Sequence, residues 1–596
     1  MRLRTALLAS TAAPFPTALV LAAPFLAALV LAAPAHAQFA PGPNPITGTT
    51  GAQTLTGGTG TIDAGGKISA NTSGTALAIS GTATLTNNGT IEQLGSGRAI
   101  DSNSGTATLA ITNNGTISAV GTDAFRINTA ATSVTLDNTG TISVSAGGQA
   151  IDWAAIVTGA NKLTNAATGI ISTVGEDAVR PGQGGTIVNA GAITATPTGT
   201  TSPSGSDGID LRSNANVSIT NSGTISGRHG ITGDAAVSTL TIDNKAGATI
   251  QGVNGSGLNI DTVATTTVLN VTNAQGATIQ GGVLAAATNG DGDGIDTDGI
   301  LHLTNAGNVL GRGAKGVGSD TLPNNTEAVS IGGGTITNTA TGRIVADGTL
   351  TPGDSTRAAN GILADNSSGG SAIAATSIDN AGLIEGKQGF AAKMIGSFAD
   401  TVVNKAGASM IGHTSEAALQ TGGGNDSVTN AGTLANVAIG APTDQAPGAA
   451  ADLGDGDDTM AITGTAASVT GNLDGGTGID TLIFDLTLAG TINYGDEILN
   501  FENILVLSGT VTLTDVYVGA NTNVDGGTLR FLGDQSSNQD FLNLVSDARV
   551  HGHTAGYTYD GTYTTLSQVP EPATLALFGT GLLGLATLRR RQTPAA

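Results

Sequence analysis

The sequence predicts an all-β fold: a right-handed parallel β-helix, or β-solenoid, with an N-terminal signal peptide and a short C-terminal apolar helix. Three observations carry this expectation. A short unit, apolar-x-Asn-x-Gly-x-Ile, recurs along the chain. Its aliphatic residues alternate with Thr and Ser, as in strands that bury one face. Bulky core residues are scarce: aromatics are 3% of 596 residues, against 90 glycines, a composition suited to thin stacked rungs rather than a globular core. The fixed placement of Ile, Leu and Val separates this chain from a disordered Gly-rich one.

The unit appears as Leu85-Thr86-Asn87-Asn88-Gly89-Thr90-Ile91, and again at Ile111–Ile117, Ile219–Ile225 and Ile378–Ile384. Its asparagines are Asn87, Asn113, Asn138, Asn165, Asn189, Asn221, Asn244, Asn273, Asn305, Asn338, Asn380, Asn404 and Asn430, most of them 23 to 33 residues apart. One rung cannot bury its apolar face alone, but a stack can. Parallel pairing would set equivalent side chains about 4.8 Å apart. An inward amide both donates and accepts, so a column of them satisfies itself. Where a glycine stands two residues after the Asn, it is expected to allow a positive φ at the turn.

A second marker, small-aliphatic-Asp, falls once per period, as at Ala99-Ile100-Asp101, Ala150-Ile151-Asp152, Gly208-Ile209-Asp210 and Gly294-Ile295-Asp296. The position after the aliphatic residue is expected to run Asp101, Asn128, Asp152, Arg180, Asp210, Thr232, Asp261, with like charges about two rungs, ~9.6 Å, apart. Insertions in 196–206, 281–289 and 349–360 are rich in Gly, Ser, Thr, Pro or Ala, and are expected to leave a constant core as loops. The loop-bearing face is the first candidate for binding.

Farther along, the repeat changes to Asp/Gly-rich turns: Gly422–Asp426, Leu453–Thr459 and Leu473–Leu482. Gly475-Gly476-Thr477-Gly478-Ile479-Asp480-Thr481-Leu482 fits a G-G-x-G-x-D-x-U turn, which binds calcium where it recurs in tandem. Calcium ligation by Asp426, Asp458 and Asp480 is therefore one reading. Plain structural turns are the other, because these residues do not recur in tandem and calcium needs six to eight oxygens. A further acidic cluster, Asp291, Asp293, Asp296 and Asp298, lacks EF-hand spacing and is expected to be a solvated loop. From 82 to 514 the pattern resembles autotransporter passenger domains and related β-helix adhesins. It departs from them after Asp515, where no long series of amphipathic strands for an outer-membrane barrel follows.

The ends look like addresses. Arg2 and Arg4, an apolar stretch and Ala35-His36-Ala37 form a secretory signal with cleavage expected before Gln38; an uncleaved membrane helix is the competing reading. Val569-Pro570-Glu571-Pro572 precedes an apolar run from Ala573 to Leu588 closed by Arg589, Arg590 and Arg591. As a helix that run is about 24 Å long, short of a ~30 Å hydrocarbon core, with the arginines on the cytoplasmic side. This tail resembles the PEP-CTERM sorting tail of Gram-negative bacteria. The resemblance implies recognition of Pro570, Glu571 and Pro572 by an exosortase-type enzyme, and an association with exopolysaccharide. A plain membrane anchor is the alternative. The expected partition is 1–37 signal peptide, 38–80 N-terminal cap and first rungs, 81–435 Asn-ladder β-helix, 436–566 Asp/Gly-turn continuation and cap, and 567–596 sorting tail.

Composition narrows the function. A net charge of -23 disfavours nucleic acid and anionic lipid surfaces. With no cysteine, disulfides and thiol catalysis are excluded. There is no nucleophile elbow or phosphate loop. His551-Gly552-His553 lacks a third metal ligand. Trp153, the single tryptophan, cannot by itself form a sugar-stacking cleft. The expectation is a non-enzymatic surface or matrix protein, or adhesin, of a Gram-negative bacterium. It would need no cofactor apart from the calcium reading. Its partners would be signal peptidase, an exosortase-type enzyme and extracellular polysaccharide, with transient inner-membrane contact through the tail. A polysaccharide lyase or hydrolase on the same fold, and a ligand-free spacer, are the alternatives.

Overall fold

The computed structural model describes residues 39–569, apart from 200–204, 235–238, 262–264, 319–320, 350–356, 366–369 and 439–446. The expected signal peptide, with Ala35, Ala37 and Gln38, and the tail from Pro570 through Arg589, Arg590 and Arg591 lie outside the described residues. Among those described, no helix is long and apolar enough to cross a membrane.

The chain winds into a parallel β-helix with three strand faces per rung. One face ends in asparagine, as in Thr108–Asn113, Ser133–Asn138 and Val217–Asn221. The second begins with Thr-Ile, as in Thr116–Ala119 and Thr224–Gly227, and its sixteen strands run in chain order from Thr49–Thr50 to Ser468–Thr470. At about 4.8 Å per strand that sheet rises roughly 70 Å. The third carries the short aliphatic-Asp strands, such as Ile100–Ser102 and Ile151–Asp152. Alternation decides which side faces in. In Thr108–Asn113, Leu109, Ile111 and Asn113 are buried while Thr108 and Ala110 are exposed. Each sealed Leu or Ile contributes about 1.5–3 kcal/mol by leaving water.

The asparagines stack in register from Asn87 to Asn430. In every step the amide Nδ2 of one rung donates to the Oδ1 of the next, at 2.7–2.9 Å. The second amide hydrogen reaches a carbonyl of the following rung, Thr116 O from Asn87 at 3.1 Å and Thr224 O from Asn189 at 3.1 Å. The column stops where the sequence stops supplying it: Ile62 pairs below Asn87 and Ile462 above Asn430.

The glycines two residues after a ladder Asn act through space, not through φ. Gly89, Gly115, Gly140 and Gly223 do not have positive φ. A Cβ on Gly115 would lie 2.0 Å from the Gly89 carbonyl oxygen, and one on Gly223 2.1 Å from that of Gly191. The rung spacing leaves no room for a side chain there. Positive φ occurs instead in the Asp/Gly turns, at Gly422, Gly424, Gly454, Gly456, Gly476 and Gly478, and at Gly247, Gly276 and Gly407, three residues after Asn244, Asn273 and Asn404.

The last rungs close under a different structure. Helix Gln539–Asp547 is capped by Asn538, whose side chain accepts from the Asp540 and Phe541 N–H groups. Its Phe541 packs edge-on against Phe531 and Tyr557 at 5.3 and 5.2 Å. Strands His553–Tyr559 and Tyr563–Gln568 pair antiparallel, and the latter pairs antiparallel with Thr528–Leu532. This covers apolar surface that a further rung would otherwise bury.

Candidate functional site

The third face concentrates the ionisable groups. Register places Asp101 beside Arg126, Arg126 beside Asp152, and Asp152 beside Arg180. Val179 pairs with Ile209, which brings Arg180 next to Asp210, and Thr232, Asn259 and Asp296 follow. Two expected members are thus corrected: Arg126 stands where Asn128 was expected, and Asn259 where Asp261 was. The anchors are Phe125 and Leu258 rather than Ile127 and Ile260. A two-residue slide keeps the inward parity, so alternation alone could not tell them apart. The corrected column alternates in sign more strictly than expected. Asp101, Asp152 and Asp210 are separated by Arg126 and Arg180. Arg126 Nε lies 3.5 Å from Asp101, and Arg180 Nε 3.3 Å from Asp210.

A neighbouring column was not anticipated. It holds the polar residue two positions before each anchor, including Asp123, Asp177, Asp207, His229, Asp293 and Glu327. Each side chain here reaches up one rung. Asp177 Oδ1 accepts from Asp207 N at 2.9 Å, Asp207 Oδ1 from His229 N at 2.9 Å, and His229 Nδ1 from Ser256 N at 2.9 Å. Asp293 Oδ1 accepts from Glu327 N at 2.6 Å. The signal was present as polar-small-aliphatic triplets, but only register shows that they stack.

The two columns meet in a cavity of about 270 Å³ lined by Asp177, Arg180, Asp207, Asp210, Arg228 and Asp234, among others. Arg180 Nη2 is 2.6 Å from Asp177 and Arg228 Nη2 is 3.1 Å from Asp207. Burial, and then the nearby Asp177 charge, push Asp210 up to about 7. For Asp177 burial works upward, but the Asp207 N–H and the Arg180 guanidinium outweigh it and hold the carboxyl low. One ionised and one protonable carboxyl, bridged by an arginine, can take and give a proton.

The other sequence candidates fall elsewhere. Asp426, Asp458 and Asp480 do not converge on one point. They stack one per rung, and Oδ1 of each accepts the backbone N–H of the residue in register one rung earlier: Asp400 N at 2.7 Å, Asp426 N at 2.6 Å and Asp458 N at 2.8 Å. The other oxygen of each is sealed and has no hydrogen-bond partner. The cluster at Asp291 to Asp298 is not a solvated loop. Asp293 is 2% exposed, and register adds Glu327 from the next rung. Among the described residues, Asp291, Asp293 and Glu327 form the set of acidic side chains whose oxygens lie within 4.8 Å of one another. His551 and His553 are exposed. Trp153 is core, edge-on to Phe125 at 5.5 Å.

Residues 568–591 match the PEP-CTERM protein-sorting motif. No curated protein and no solved structure matches the chain. The likeness of the shaft to autotransporter passengers therefore rests on its repeat pattern alone.

Proposed function

Because the chain carries a PEP-CTERM sorting motif, and is thus an exported protein handled by an exosortase-type enzyme, we propose that it is a non-enzymatic surface or matrix protein of a Gram-negative bacterium. In this reading a signal peptidase removes residues 1–37. The tail then holds the chain at the inner membrane until sorting, and the solenoid presents its loop-bearing and charged faces to extracellular polysaccharide. The observation that carries the reading is the joining of a sorting motif to a continuous ladder-stabilised solenoid. Such a scaffold repeats weak contacts along one axis, and repetition raises effective concentration.

One observation favours a second reading. The Asp177–Arg180–Asp210 group beside an open cavity suits a polysaccharide lyase or hydrolase. A single experiment separates the two: the purified chain is mixed with exopolysaccharide from the producing cell, and polymer length and protein retention are followed together. Retention without shortening is expected. Shortening that is lost in Asp210→Asn would replace the adhesin reading with the enzyme. Neither retention nor shortening would leave a spacer.

A further inference from the structure

One cluster of acids on the third face forms no ion pair among the described residues. Asp291 and Asp293 come from one rung and Glu327 from the next, and their converging oxygens lie within 4.8 Å of one another. Asp293 and Glu327 are 2% and 8% exposed. Two of the oxygens are committed: Asp293 Oδ1 accepts from Glu327 N, and Glu327 Oε1 from Asn360 Nδ2 at 2.6 Å. Asp291 Oδ1 is closed to solvent and has no hydrogen-bond partner.

Two nearby cations are engaged elsewhere. Arg228 is bound to Asp207 at 3.1 Å, and Lys315 Nζ donates to Ala285 O at 2.8 Å. The chain around the cluster is held firmly. Gly290–Asp291 pairs antiparallel with Ala314–Lys315, and Asn254 Oδ1 accepts from Leu284 N at 3.0 Å, pinning the 281–289 insertion. A cavity of about 210 Å³, lined by His229, Asn254, Asn289, Asp291 and Asn324 among others, opens against Asp291.

We propose that Asp291, Asp293 and Glu327 form a binding site for a hard divalent cation, calcium in the first instance. Gathering three carboxylates out of water costs several kcal/mol per ion unless the charge is met. Oxygen-only donors select calcium or magnesium over softer metals. The cavity side leaves coordination positions for water or for a ligand's oxygens. Burial raises all three acids above their ordinary range, and for Asp293 and Glu327 the Asp291 charge adds to it. His229 on the cavity wall is pushed down to about 3 by burial, so it adds no positive charge. The ion would join two adjacent rungs at the base of the insertion. This site is separate from the stacked aspartates of the later turns and does not depend on what the protein binds outside the cell.

The test uses the full chain stripped with chelator and titrated with calcium chloride in a calorimeter. Parallel melting curves are taken in calcium, magnesium and chelator. Calcium is expected to bind and to raise the melting temperature by several degrees, with magnesium weaker. Glu327→Gln and Asp291→Asn should each abolish that rise while melting higher than the parent chain in chelator, because a buried charge is gone. A misfolded variant would instead melt lower. Asp458→Asn, in the later turns, should keep the full calcium response. No heat and no melting shift at millimolar calcium would overturn the proposal. So would an undiminished shift in both Glu327→Gln and Asp291→Asn.

Discussion

Two inward columns run along the same strand face, one of amides from Asn87 to Asn430 and one of carboxyls from Asp400 to Asp480. An amide brings a donor and an acceptor, so each rung satisfies the next and the ends need only an aliphatic lid. An ionised carboxyl brings acceptors alone. The acid column therefore takes backbone N–H groups for one oxygen and leaves the Oδ2 atoms of Asp426, Asp458 and Asp480 buried without partners. Burial then raises the acids, Asp400 and Asp458 to about 7. The amide column is neutral and indifferent to pH. The acid column trades that for sensitivity to protons or cations.

The largest test places the acid chemistry inside the amide column. Asn221 accepts from Asn189 and donates to Asn244 Oδ1 and Thr249 O. Asn221→Asp keeps the acceptor and turns a carboxylate toward two oxygens. A loss of about 3–5 kcal/mol near neutral pH is expected, measured by urea denaturation and shrinking as the carboxyl is protonated in acid. An unchanged midpoint would mean that the amide column is not what holds the rungs.

Next in size is a test of space in the acid turns. A Cβ on Gly478 would fall 1.7 Å from the Gly456 carbonyl oxygen, at φ +146, whereas Gly464 at φ +77 has nothing within 4 Å. Gly478→Ala should cost more than about 2 kcal/mol and Gly464→Ala about 1. Equal costs would show that φ, not rung contact, sets the requirement.

The smallest effect is the pH dependence itself. The unfolded acids keep their ordinary value of 3.8 while Asp400 and Asp458 sit near 7. Between those values the folded chain holds protons that the unfolded chain has released. Stability from these two groups is thus fully present below about pH 4 and declines until about pH 7. Melting temperatures across that window should fall for the parent chain, and less steeply for Asp458→Asn. Parallel slopes would detach the effect from the column.

The Asn ladder was legible to the last residue because each member carries its own local signature, an Asn between alternating aliphatics and a glycine. The acid column was half legible. Asp426, Asp458 and Asp480 stood out through their glycines, but nothing local said whether their oxygens meet at a point or stack along an axis. The third face was the least legible. Phe125 and Leu258 displaced Ile127 and Ile260 as anchors, and the column from Asp123 to Glu327 went unseen because its members differ in type.

The sequence by itself determined the fold class, the face of each Asn-bearing strand, the span of the amide ladder and the presence of the sorting motif. Period and residue type are properties of short stretches of chain, and strand alternation permits one inward set. Only the tertiary structure decided which rung meets which on the third face, that the glycines two residues after a ladder Asn serve contact rather than φ, and that Asp291 and Asp293 close on Glu327. Those outcomes depend on register across insertions of unequal length. A side chain one rung away is about 4.8 Å distant in space yet some thirty residues away along the chain.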